Sequence, residues 1–144
     1  MTVGRFCRRS VFTISGDATI EEAARRMEER NVGTLVVLTK EKEPVGLITD
    51  RDIAIRVVAR HKAPNETSVL EAMTGLPRKV HEEMPLEEAL AIMRSGRFRR
   101  LPIVSEHGLV GILALDDVLR LLCREMTGIG GLLLGQRPEV AAVR

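Results

Sequence analysis

The 144-residue chain has no tryptophan, no tyrosine and only three phenylalanines, so the aromatic stacking platforms of single-strand nucleic-acid binders are largely missing. Of the three, Phe6 and Phe98 have basic neighbours. Cysteine is scarce too: Cys7 and Cys123 lie near opposite ends, too few for a disulfide framework and without metal-ligand spacing. Both are expected to be buried apolar residues. His61, His81 and His107 share no ligand spacing with a cysteine or with one another, so no metal site is expected. An excess of one charge is also lacking, since 22 basic residues against 20 acidic ones leave a net +2, too balanced for a general nucleic-acid footprint. Any anion site must be local.

Long apolar runs are absent, Leu35 to Leu38 and Leu109 to Leu115 being far too short to cross a bilayer, and no charged-then-apolar leader opens the chain. A soluble, cytoplasmic protein without membrane contact is expected. Of catalytic signatures, neither a Gly-x-Ser-x-Gly elbow, a phosphate-loop lysine motif nor a His-Glu-x-x-His is present. Gly128-Ile129-Gly130-Gly131 follows a helix rather than a strand, so it is no dinucleotide fingerprint. Enzymatic activity is not expected, and no cofactor is required.

What the chain does have is 44% hydrophobic content, ample for a core, and an internal repeat. Ile20-Glu21-Glu22-Ala23 matches Leu86-Glu87-Glu88-Ala89, and Met27 falls on Met93, a shift of 66 residues. At the same shift Leu35 to Leu38 meets Leu101 to Val104, and after one deleted residue Val45-Gly46-Leu47-Ile48 meets Val110-Gly111-Ile112-Leu113, and Asp52 meets Asp117. A period this long, present twice, predicts two related halves packed about a pseudo-two-fold axis rather than a solenoid.

Both halves read alike. Ile20, Ala23, Ala24 and Met27 recur at helical spacing behind a Thr19/Glu22 capping box. Thr34 to Leu38 and Val45 to Ile48 form a strand pair about a polar turn, and a helix opens at Thr49 to Asp52 and fades before Pro64. The second half predicts a helix from Leu86 to Arg94, strands at Leu101 to Val104 and Leu109 to Leu113, and a helix from Asp116 to about Met126. Thr13-Ile14 and Lys79-Val80 supply short first strands, and Ser68 to Met73 is a brief helical lead-in. The apolar stripe Val118, Leu119, Leu121 and Leu122 is assigned mainly to packing. The expected units are residues 1–66, residues 67–127 and a glycine-rich arm over 128–144.

This arrangement resembles the tandem cystathionine β-synthase-type (CBS) domain pair, from about Gly4 to Met126. The resemblance rests on Asp17-Ala-Thr-Ile-Glu-Glu-Ala, on Arg100-Leu-Pro-Ile-Val, and above all on Gly46-Leu-Ile-Thr-Asp-Arg-Asp52, which fits the family's Gly-hydrophobic-x-Thr/Ser-x-x-Asp signature. It implies an α/β fold of two β-α-β-β-α repeats with a ligand cleft between them. The ligand it implies is an adenine nucleotide, AMP, ADP or ATP, sensed as a regulatory signal for a partner protein. It also implies a flat homodimer.

By the same resemblance, Thr49 and Asp52 face Arg78, Lys79 and Val80 and the segment Phe98, Arg99, Arg100 and Pro102. A carboxylate can accept both ribose hydroxyls, while a hydroxyl and free N–H groups at a helix start suit phosphate. A second site combines Asp117 with Val11, Phe12, Val32, Gly33 and Thr34. It is expected to be the weaker, because Ala114 replaces the signature hydroxyl and Gly33 and Thr34 stand where the other site has Arg99 and Arg100. Thr49-x-x-Asp52 is equally the pattern of a helix capping itself, and Arg97, Arg99 and Arg100 also read as a solvated edge. Two other functions fit the pattern: a dimerisation scaffold with an empty cleft, and a sensor of S-adenosylmethionine, NAD or RNA.

Overall fold

A computed structural model describes residues 1–76 and 79–135. After a 3-10 turn at Val3–Arg5 the first repeat runs β1 (Thr13–Ser15), α1 (Ile20–Arg30), β2 (Thr34–Leu38), β3 (Pro44–Thr49) and α2 (Asp50–Ile53), which continues as a π-helical turn over Ala54–Val58. The second runs α3 (Val69–Ala72), β4 (Thr74–Gly75), β5 (Val80–His81), α4 (Leu86–Gly96), β6 (Arg100–Ser105), β7 (Gly108–Ala114) and α5 (Leu115–Gly135). The β-α-β-β-α order holds twice.

Two sheets result, ordered β1-β2-β3-β4 and β5-β6-β7. In each, the short first strand is parallel to the next, Thr13 opposite Val36 and Val80 opposite Ile103. The antiparallel pair that follows shifts register at equivalent places, between Val37 and Leu38 and between Ile103 and Val104. The helices begin where the pattern places them. Thr19 and Glu22 form a reciprocal capping box at α1, as do Ser68 and Glu71 at α3. In α1 the buried residues are Ile20, Ala23 and Met27, the inward stripe of a 3.6-residue period.

Packing crosses the repeat boundary. The first core joins Ile14, Ile20, Met27, Leu35, Val37, Ile48 and Val57 to Val69 and Ala72 of the second lead-in. The second core joins Val80, Leu86, Met93, Leu101, Ile103, Leu113 and Val118 to Val3 of the first. Backbone bonds follow the same exchange. Val69 N–H donates to Ala18 (2.8 Å) and Val3 N–H to Met84 (2.9 Å), while Arg8 exchanges both bonds with Ile112. Thr74 correspondingly pairs with Leu47.

This exchange explains the signature glycines. A Cβ on Gly46 would lie 2.7 Å from the Thr74 carbonyl oxygen, and one on Gly111 2.6 Å from that of Arg8, so each glycine is where a lead-in lies flat on the opposite sheet.

Two expectations change. The last helix does not stop near Met126 but continues to Gly135, so the glycine-rich segment begins as helix, although exposed and outside both cores. The two cysteines are not both buried: Cys7, in the first lead-in, is half-buried, and Cys123 is exposed on α5. The helical period turns position 123 to the side away from Val118, the one residue of α5 in the core. Burial pushes the Cys7 thiol pKa up, partly offset by the charge of Arg9.

Candidate functional site

The two β3–α2 and β7–α5 corners face the opposite repeat, and each opens on a cavity. The first, of about 270 Å³, is lined by Thr49, Asp50, Arg51, Asp52 and Thr74 on one side and by Arg97, Phe98, Arg99 and Arg100 on the other. Thr49, Asp52, Phe98, Arg99 and Arg100 are thus brought together as the sequence implied. Lys79, Val80 and Pro102 are not. Lys79 is drawn into an ion pair with Glu43 at the β2–β3 turn, Val80 is wholly buried in the second core, and Pro102 is buried within β6 opposite Ile112. Arg78 lies outside the described residues.

Within this cavity Thr49 and Asp52 cap α2 reciprocally. The Asp52 N–H donates to Thr49 Oγ1 at 3.1 Å and the Thr49 N–H to Asp52 Oδ2 at 3.0 Å. The other carboxylate oxygen accepts from the Thr74 hydroxyl at 3.4 Å and lies 3.8 Å from Arg56 Nε. Arg56 is itself anchored on the carbonyls of Ala72 and Met73. Both oxygens of Asp52 are therefore engaged in holding the corner.

The second cavity is larger, about 410 Å³, and all six residues expected there line it: Val11, Phe12, Val32, Gly33, Thr34 and Asp117. Three arginines line it too, Arg8, Arg100 and Arg120, which corrects the expectation that this site lacks them. They come not from the segment equivalent to Arg99 and Arg100 but from the exchanged lead-in, from the start of β6, and from one turn into α5.

The carboxylate is also held differently. With Ala114 in place of the signature hydroxyl, no reciprocal cap forms. Asp117 Oδ1 accepts from Arg8 Nη2 at 3.0 Å instead, and Oδ2 is buried without a hydrogen-bond partner. An unpaired buried carboxylate oxygen is costly, and a donor supplied by a ligand would satisfy it. Arg8 stands where Thr74 stands in the other half.

The cavities share a wall. Arg100 lines both and has no ion-pair partner among the described residues. Arg99, in the wall of the first, donates to Asp116, in the wall of the second, at 3.2 Å. Among the described residues no three His, Cys, Asp or Glu side chains are arranged to hold a metal ion, and no helix is long and apolar enough to cross a membrane.

The family model for the CBS domain matches the chain twice, over residues 3–59 and 69–124. The chain belongs to the CBS-domain family. Among CBS relatives, the CBS domain-containing protein YhcV of Bacillus subtilis is 41% identical over 108 residues, 75% of this chain and 76% of that protein. An uncharacterized protein of Methanopyrus kandleri, MK0525, is 38% identical over 121 residues, 83% of this chain, which spans 62% of that longer relative. The solved structure of Hypoxic Response Protein I with two coordinated zinc ions superposes with a TM-score of 0.73 at 30% identity, covering 83% of this chain and 98% of that one. A hexameric CBS-CP12 protein from bloom-forming cyanobacteria superposes at 0.72 with 29% identity, over 83% of this chain and 69% of that one.

Proposed function

We propose that this CBS pair is a cytoplasmic regulatory sensor, not a catalyst, that binds an adenine nucleotide between its repeats. Nucleotide binding favours one relative orientation of the repeats, and a partner protein reads that orientation through differential affinity. The observation that carries this reading is the second cavity, where the unpaired oxygen of Asp117 awaits a donor such as a ribose hydroxyl. Arg8, Arg100 and Arg120 offer charge-assisted bonds to phosphate beside it. The first cavity is the secondary seat, because Asp52 is already committed to its cap.

Calorimetric unfolding with AMP, ADP, ATP, S-adenosylmethionine and NAD in turn tests it. A ligand at one hundred times its dissociation constant adds about 2.7 kcal/mol, a shift of several degrees. The shift should occur with an adenine nucleotide and vanish in Asp117→Ala. Asp52→Ala should keep it while lowering the unliganded stability by on the order of 1 kcal/mol through loss of the cap. A shift lost in Asp52→Ala alone moves the seat to the first cavity, and no shift at millimolar ligand overturns the nucleotide reading.

A further inference from the structure

Successive residues of the first lead-in serve different cavities. Arg8 lines that of Asp117, whereas Arg9 lines another, of about 350 Å³, which shares only Val11 with it. Both repeats build this third cavity: Arg9 comes from the lead-in, Lys42 from the β2–β3 turn and His107 from the β6–β7 turn. Val11, Leu38, Leu109 and Val110 give it an apolar lining, and no carboxylate is among the described residues around it. Neighbouring cations are neutralised, Arg8 by Asp117 and Lys40 by Asp17, and Glu43, the carboxylate next to Lys42, is taken by Lys79. Arg9 and Lys42 are the exception. Neither makes a salt bridge or a side-chain hydrogen bond among the described residues, so no carboxylate offsets their mutual repulsion. His107 adds an N–H donor rather than a counted charge, because it also borders a cavity with Glu82, Glu83 and Glu106. The turns keep the space open. Lys42 has φ 63°, in the left-handed region where glycine is the relaxed residue, and its N–H donates to the Thr39 carbonyl at 3.0 Å. Gly108, in the other turn, has no heavy atom within 4 Å of where a Cβ would stand.

We infer that this cavity is a ligand site separate from the two at the helix corners, and that it takes a small phosphomonoester. The phosphate dianion matches the two unpaired cations, the Arg9 guanidinium offering a two-pronged donor and the Lys42 ammonium a point charge. The ester's carbon body covers the aliphatic lining. A bare anion would leave that lining in water, and an apolar molecule would leave the cations unpaired. The volume suits a small molecule. Asp117, Arg8, Arg100 and Arg120 take no part, so the inference stands apart from the nucleotide reading.

Amide 15N–1H spectra of the full chain, titrated at constant ionic strength with phenyl phosphate, inorganic phosphate and phenol in turn, test it. Saturable shifts are expected on Lys42, Gly108 and Leu109, with phenyl phosphate binding more tightly than either fragment. The double variant Arg9→Gln/Lys42→Gln changes exposed positions only and should keep the wild-type spectrum elsewhere while losing about tenfold or more in affinity, since charge-assisted hydrogen bonds hold the phosphate. Lys42→Gly relaxes the turn as it removes the ammonium, so it should be at least as stable as wild type and still bind more weakly. Arg120→Gln, in the other cavity, should leave affinity unchanged. Absence of saturable shifts at these residues overturns the inference, as does affinity kept in the double variant or phenol or inorganic phosphate binding as tightly as the ester. Shifts confined to Arg8 and Asp117 place the anion in the larger cavity and overturn it too. None of these failures touches the proposed nucleotide sensor, which is read with other ligands and other residues.

Discussion

Asp52 and Asp117 occupy one place in the repeat and are put to different uses, because a single hydroxyl, Thr49 against Ala114, decides whether the carboxylate caps its own helix. The signature glycine and aspartate were legible because they recur at a fixed shift, and Val11, Phe12, Val32, Gly33 and Thr34, which the resemblance implied, line one cavity with Asp117. Arg8 and Arg120 were not legible. Arg8 reaches the cavity only through its pairing with Ile112, more than a hundred residues away, and no local pattern announces that contact. Lys79, Val80 and Pro102 came from the family resemblance alone; in the structure Lys79 pairs with Glu43, and Val80 and Pro102 turn into the protein. The two thiols should differ in reactivity for physical reasons: Cys123 is exposed, whereas burial keeps Cys7 protonated. Titration with a disulfide reagent near neutral pH should show one fast thiol, and Cys123→Ser should abolish the fast phase.

Among the elements, the lead-ins and the glycines beneath them form one device. Gly111→Ala forces a methyl group to within 2.6 Å of the Arg8 carbonyl oxygen. Relief requires the lead-in to lift from β7, with a cost on the order of 1–3 kcal/mol that appears as a lower unfolding midpoint. Arg8 would then leave Asp117, so the nucleotide binding proposed above should weaken in the same variant more than in Gly128→Ala, where the added methyl meets open space. Strand and helix order was readable because β-branched runs, capping boxes and the repeat agreed. The end of α5 was not, since Gly128, Gly130 and Gly131 are ordinarily a stop signal. Here the apolar stripe continues across them, and periodicity outweighs propensity.

For the molecule as a whole, the two cavities share a wall made by Arg99, Arg100 and Asp116, so an anion entering one changes the charge facing the other. The exchanged lead-ins bind the halves still more closely, since each core lacks an edge and apolar side chains until the other half supplies them. The stretch from Ala59 to Glu66, by contrast, is wholly exposed and contributes no residue to either core. Covalent continuity there is predicted to be dispensable. Chain nicked by trypsin at Arg60 or Lys62 should elute as one species under native conditions and part into two peptides only in denaturant. The two halves produced as separate polypeptides should each be unfolded alone and regain structure on mixing, a complementation that reads out how far one repeat is the template for the other.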